Sequence, residues 1–178
     1  GTETFEHCIS LLKIQFNESL MQLPYYGFYN CTKLEEIQFN KGMISIGSNC
    51  FEKCISLRKL VFNESLTTIN NNAFEFCNSL ESVTFNENLE TIGRMAFYYC
   101  YRIDGLLNMT NKIKSIGDQA FANCHKISSI HYTEYDSNDI ETGSYVFQNC
   151  IGLTDVLNIP ENVRSVPEGY FSNCINLF

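Results

Sequence analysis

Nine cysteines are the residues of this 178-residue chain best suited to chemistry, and eight of them share one setting. Cys8, Cys31, Cys54, Cys77, Cys100, Cys124, Cys150 and Cys174 each follow a phenylalanine by three positions, from Phe5 to Phe171, at successive gaps of 23, 23, 23, 23, 24, 26 and 24 residues. Thiols can form disulfides, hold zinc or act as nucleophiles, and the pattern argues against each. Equivalent slots of a repeat stack about 5 Å apart with parallel Cβ vectors, whereas a bridge needs Cβ atoms about 4 Å apart and turned together. Zinc needs ligands converging as a tetrahedron, typically from paired Cys-x-x-Cys spacing, and a single file of thiols does not converge. A nucleophilic thiolate needs a basic neighbour to lower its pKa, and none recurs beside the motif. The reading is a column of free, buried thiols, with Cys50 as a small apolar filler in the slot that Ala73, Ala96 and Ala120 hold.

The other reactive types are sparse. Of three histidines, His7 and His125 flank column cysteines and His131 has no nucleophile or carboxylate in register, so no general acid–base pair forms. No Gly-rich phosphate loop or nucleophile elbow occurs, and the chain is read as non-catalytic, without metal or cofactor. The segment YTEYDSNDIETGSY (132–145) gathers Glu134, Asp136, Asp139 and Glu141, the ligand type calcium prefers. It lacks the ordered spacing and closing glutamate of a calcium loop, so a solvated turn is expected there, with a cation or partner contact as the alternative. Four sequons begin at Asn17, Asn30, Asn63 and Asn108; Asn17 and Asn63 fall in a turn and are the glycan acceptors a eukaryotic secretory route would use.

The elements that would carry these residues follow from the period. A 23-residue unit is too small to bury a core alone and must stack on its neighbours. After each cysteine runs an alternating stretch, as in LLKIQF (11–16), LEEIQF (34–39), LRKLVF (57–62), LESVTF (80–85) and ISSIHY (127–132), whose apolar residues two apart predict strands of one parallel sheet. Asn17, Asn40, Asn63 and Asn86 then suit a turn. A second apolar pair, Leu/Ile-x-x-Ile, predicts a short second strand; the Gly47, Gly93 and Gly117 slot predicts a bend, and Phe-x-x-Cys a short helical turn. In the two 24-residue units, Leu107/Met109 and Leu157/Ile159 take the inward pair if one residue is inserted before them. Thr142 falls in the isoleucine slot and Asp139 where Leu89 sits, a departure in the most extended unit.

The pattern Leu-x-x-Ile-x-Phe-x-x-x-Leu-x-x-Ile-Gly-x-x-Ala-Phe-x-x-Cys, as in residues 80–100, resembles the BspA-type leucine-rich repeats over essentially the whole chain, with a proline or polar turn after the first strand, here Pro160. The resemblance implies an α/β solenoid: a right-handed leucine-rich-repeat superhelix with a parallel β-sheet on the concave face, and short second strands and helical turns on the convex side. It implies one domain over 1–178, of about seven to eight repeats of 23–26 residues. Members of the family are surface proteins of host-associated bacteria and anaerobic protists that bind extracellular matrix, host cells or other microbes. The implied function is a protein-binding module of a cell-surface or secreted adhesin, with a protein or glycan ligand.

Between the inward residues of each first strand lies one outward residue, and Gln15, Gln38, Val61, Thr84, Asn108, His131 and Asn158 form a column able to donate and accept hydrogen bonds. On a horseshoe solenoid that face is the usual ligand surface; the bland alternative is a merely soluble sheet. Composition restricts the partners. With 44% hydrophobic residues the chain folds, and with 12 Lys+Arg against 20 Asp+Glu, a net charge of −8 and no basic cluster, nucleic acid is excluded. No apolar run approaches the about 18 residues of a membrane span, and the first residues lack a signal peptide's regions, so a fragment of a longer protein with ends cut mid-unit is expected, open to end-to-end self-association. Unpaired cysteines support an alternative, a cytoplasmic interaction scaffold of the same fold.

Overall fold

The computed structural model describes residues 4–132, 139–154, 163 and 165–177. They form a parallel β-solenoid whose coils carry two kinds of strand. The first kind comprises β1 (Lys13–Gln15), β2 (Glu36–Gln38), β4 (Lys59–Val61), β6 (Ser82–Thr84), β8 (Gly105–Met109) and β10 (Ile127–Tyr132). The second comprises β3 (Ser45–Ile46), β5 (Thr68–Ile69), β7 (Thr91–Ile92), β9 (Ser115–Ile116) and β11 (Glu141–Thr142). The second strands, only two residues each, join in one five-stranded parallel sheet, which an isolated bridge extends from Ser45 to Gln22.

The first strands do not make the single sheet that their alternation predicts. They pair as β1–β2, β4–β6 and β8–β10. The gap before β8 has a cause in the sequence: the inserted residue of the 24-residue unit is absorbed by Gly105, at φ +80°, and by a register shift between Ile127 and Ser129. Leu107 and Met109 thereby point inward and are buried, as expected. The gap between β2 and β4 has no insertion behind it, yet no backbone hydrogen bond joins 34–39 to 57–62. The corresponding pair Leu157/Ile159 and Pro160 lie outside the described residues.

Two columns of rings fill the interior. Phe5, Phe28, Phe51, Phe74, Phe97, Phe121, Phe147 and Phe171 stack at centroid distances of 5.2 to 5.7 Å with planes within 11° of parallel. Phe16, Phe39, Phe62 and Phe85 make a looser second column, 5.4 to 6.2 Å apart. It tilts by 38° between Phe39 and Phe62, at the β2–β4 gap.

Two local expectations are corrected. The described residues contain no helix, and Phe-x-x-Cys is a tight turn: in all eight of these segments the cysteine N–H donates to the phenylalanine carbonyl at 3.1 to 3.3 Å, and the residue before the cysteine is left-handed, at φ 57 to 64°. A helical turn would aim its N–H groups along its own axis. The left-handed residues instead aim alternate N–H groups at the next coil, so that Tyr26, Phe28 and Asn30 donate to Ser48, Cys50 and Glu52 at 3.1, 2.8 and 2.8 Å. The glycine slot likewise does not bend the chain. Gly47, Gly93 and Gly117 have ordinary φ, and a Cβ there would come within 2.6, 2.6 and 2.4 Å of the preceding coil's backbone, so the slot exists for close approach between coils.

Candidate functional site

All nine cysteines are free, and eight are buried; Cys8 is half-buried. From Cys31 to Cys174 each column thiol donates to the carbonyl of the phenylalanine one coil back, at 3.1 to 3.3 Å. That carbonyl already accepts its own coil's cysteine N–H, so the thiol occupies its second lone pair. The column is therefore a ladder of weak donors inside an apolar stack, a role that spacing alone did not reveal. Burial pushes Cys31 up to about 11 and Cys54, Cys77 and Cys124 well above their usual 9.0, which keeps these thiols protonated at neutral pH.

The turn asparagines form a second ladder. The Asn40 amide donates to the Asn17 and Leu20 carbonyls at 2.6 and 2.8 Å, and Asn86 repeats this on Asn63 and Leu66 at 2.8 and 2.9 Å. At Asn63 the ladder slips. Its amide keeps the in-register Met43 carbonyl at 2.8 Å but reaches Lys41 at 3.3 Å in place of Asn40, and its Oδ1 is buried without a partner. This slip lies beside the β2–β4 gap, so backbone, rings and amides break register together. Of the two expected glycan acceptors, Asn17 is exposed, its oxygen accepting from Ser19, whereas Asn63 spends its nitrogen in the ladder.

The outward column stands as the strand pattern requires. Gln15, Gln38, Val61, Thr84, Asn108 and His131 are exposed and paired across the ladders as Gln15 with Gln38, Val61 with Thr84, and Asn108 with His131. Asn158 lies outside the described residues. Sequence reasoning missed the neighbouring column on the same face, where Lys13 bonds Glu36 at 2.7 Å, Lys59 stands opposite Ser82, and Leu106 is half exposed opposite Ser129. The strand period carries that signal too, since residues two apart share a face. Of the acidic segment, Glu134 and Asp136 lie outside the described residues, while Asp139 and Glu141 are exposed; Thr142 pairs with Ile116 and Ile140 is the buried anchor. No group of three or more metal-ligating side chains gathers among the described residues, and they contain no helix long and apolar enough to cross a membrane.

A BspA-type leucine-rich repeat region profile matches residues 1–127 and 106–178, in six copies. The chain belongs to the BspA-type leucine-rich repeat family. Among solved structures it is similar to a Treponema pallidum leucine-rich repeat protein, with 28% identity and a TM-score of 0.79 over 86% of this chain and 70% of that one. A leucine-rich repeat protein of Bacteroides ovatus shares the fold at 22% identity and TM-score 0.64, over 99% of this chain and 56% of its own. A leucine-rich cell surface protein of Faecalibacterium prausnitzii does so at 21% and 0.54, over 94% and 65%. No curated protein matches the chain. Membership in this repeat family suggests a protein-interaction module.

Proposed function

We propose that this BspA-type solenoid is the non-catalytic binding module of an adhesin-like protein displayed or secreted at a cell surface, attaching to a protein or glycan of host cells, extracellular matrix or other microbes. The observation that carries the reading is the exposed, in-register column of Gln15, Gln38, Val61, Thr84, Asn108 and His131, continued in sequence by Asn158. Strand-borne side chains at fixed intervals lose little freedom on binding, so an extended partner meets a prepared surface. The cell-surface relative and the family support the location. Replacing Val61, Thr84 and Asn108 together by arginine tests the face against an array of matrix proteins and glycans. Loss of every wild-type signal with an unchanged melting temperature is expected; unchanged binding overturns the assignment of this face.

The free thiols favour a second reading, a cytoplasmic scaffold of the same fold. Mass spectrometry of protein from its source separates the two. A glycan at exposed Asn17 supports the surface module; an unmodified Asn17 in a eukaryotic source supports the scaffold.

A further inference from the structure

The turn side of the solenoid carries a second surface, unrelated to the strand face. Two successive coils there share a carboxylate held by an asparagine, and one has a ring where the other has its cation. In the first, the Asn49 amide donates to Glu52 Oε2 at 2.6 Å, and the Lys53 ammonium sits 3.1 Å from Glu52 Oε1, 2.6 Å from the Tyr29 hydroxyl and 4.8 Å from the centre of that ring. This is a cation held between a carboxylate and a tyrosine hydroxyl. In the next coil Asn72 donates to Glu75 Oε2 in the same way, but the lysine slot holds Phe76, and Glu75 forms no ion pair among the described residues.

Beside Glu75, which also feels the charges of Glu52, Lys53 and Arg94, lies an aromatic cluster. Phe76 stacks on Tyr99 at 5.4 Å and meets Tyr98 at 6.0 Å, while Tyr98 and Tyr99 lie edge to face at 4.7 Å. Phe76 and Tyr99 both take φ 58° in a slot that Asn30, Asn123, Asn149 and Asn173 occupy in other coils. Bulky side chains are disfavoured in that conformation, so the turn geometry does not account for them. Glu75 is half-buried, and burial holds its carboxyl above the usual carboxylate range, with nearby Glu52 adding to the effect and Lys53 and Arg94 opposing it. Arg94 is exposed and forms no ion pair with Glu75 among the described residues. The carboxylate is thus held as Glu52 is, with rings beside it, but among the described residues no ammonium from its own coil pairs with it directly.

We propose that the patch of Glu75, Phe76, Tyr98 and Tyr99 receives a lysine or arginine side chain of a basic partner protein, which takes on Glu75 the place that Lys53 takes on Glu52. The chain's net charge of −8 is complementary to such a partner. The test is fluorescence anisotropy with a labelled eight-residue peptide of alternating lysine and glycine, beside the same peptide with acetylated lysines. The lysine peptide binds and the acetylated one does not. Glu75→Gln, the double change Tyr98→Ala with Tyr99→Ala, and Phe76→Lys, which supplies the cation from within, each weaken binding about tenfold. Glu87→Gln, an equal loss of charge at an exposed position elsewhere, leaves it within about twofold. Equal losses for Glu75→Gln and Glu87→Gln would reduce the effect to net acidity and overturn the proposal. So would no binding by the wild type, or binding of glycans in place of the lysine peptide that the two tyrosine changes abolish.

Discussion

The two sides of each coil are built to different tolerances. On the turn side, eight phenylalanine rings stack without interruption, column thiols cap carbonyls one coil back, and alternate N–H groups cross to the next coil. The adjoining second strands, though two residues long, make one continuous sheet. On the first-strand side the sheet breaks into three pairs, the rings tilt at the β2–β4 gap, and Asn63 leaves an oxygen unpaired. Coil-to-coil continuity therefore resides in the turns and second strands. The first strands are released to carry variable side chains, which is where the proposed binding column lies.

Three perturbations sharpen that contrast. Phe74→Ala removes a fully buried ring from the middle of the stack and is expected to cost about 3–5 kcal/mol in denaturant unfolding. A cost no greater than that of a surface change would remove the stack from its central place. Asn86→Ala strips two carbonyls of a buried donor and is expected to cost about 1–3 kcal/mol, whereas Asn63→Ala, at the slipped rung with an orphan oxygen to lose, costs less. Equal costs would show that the slip has no energetic consequence. The third perturbation is alkaline pH. Unfolded thiols ionise near 9.0, while burial keeps Cys77 protonated well above that value, so the unfolded chain binds fewer protons and stability falls as pH rises past 9.0. Each such thiol approaches about 1.4 kcal/mol per pH unit once its unfolded counterpart is ionised, and Cys77→Ala reduces the loss of stability between pH 9 and 10 by about 1 kcal/mol. An unchanged slope would mean that the thiol ionises in place.

Much of this architecture was legible because the period is strict. The 23-residue spacing and the two apolar pairs located both sets of strands, the inward residues and the outward column, and the inserted residue before Leu107 appears as Gly105 and its register shift. The β2–β4 gap was not legible: both units are 23 residues long and alternate alike, and pairing between strands depends on backbone placement that side-chain periodicity does not encode. The glycine slot and the Phe-x-x-Cys turn were assigned to the right places with the wrong geometry, because their causes lie in the neighbouring coil: a backbone 2.4 Å from a Cβ added at Gly117, and acceptors awaiting alternate N–H groups. The aromatic patch at Phe76 and Tyr99 left a trace in the sequence, two adjacent large rings in a slot that four other coils fill with asparagine, whose meaning depends on the left-handed backbone.

Amide hydrogen exchange, read residue by residue, tests the division most directly. The amides of Glu81 and Ser82 donate to the Arg58 carbonyl at 2.8 and 3.4 Å, and those of Phe51 and Phe74 cross to the next coil at 2.8 Å, whereas the equivalent strand amides Arg58 and Lys59 have no backbone acceptor in the coil before them. Arg58 and Lys59 are predicted to exchange at least about a hundredfold faster than Glu81 and Ser82, with Phe51 and Phe74 protected to the level of global unfolding. Equal protection of Arg58, Lys59, Glu81 and Ser82 would mean that the first strands form one sheet, and would contradict the account.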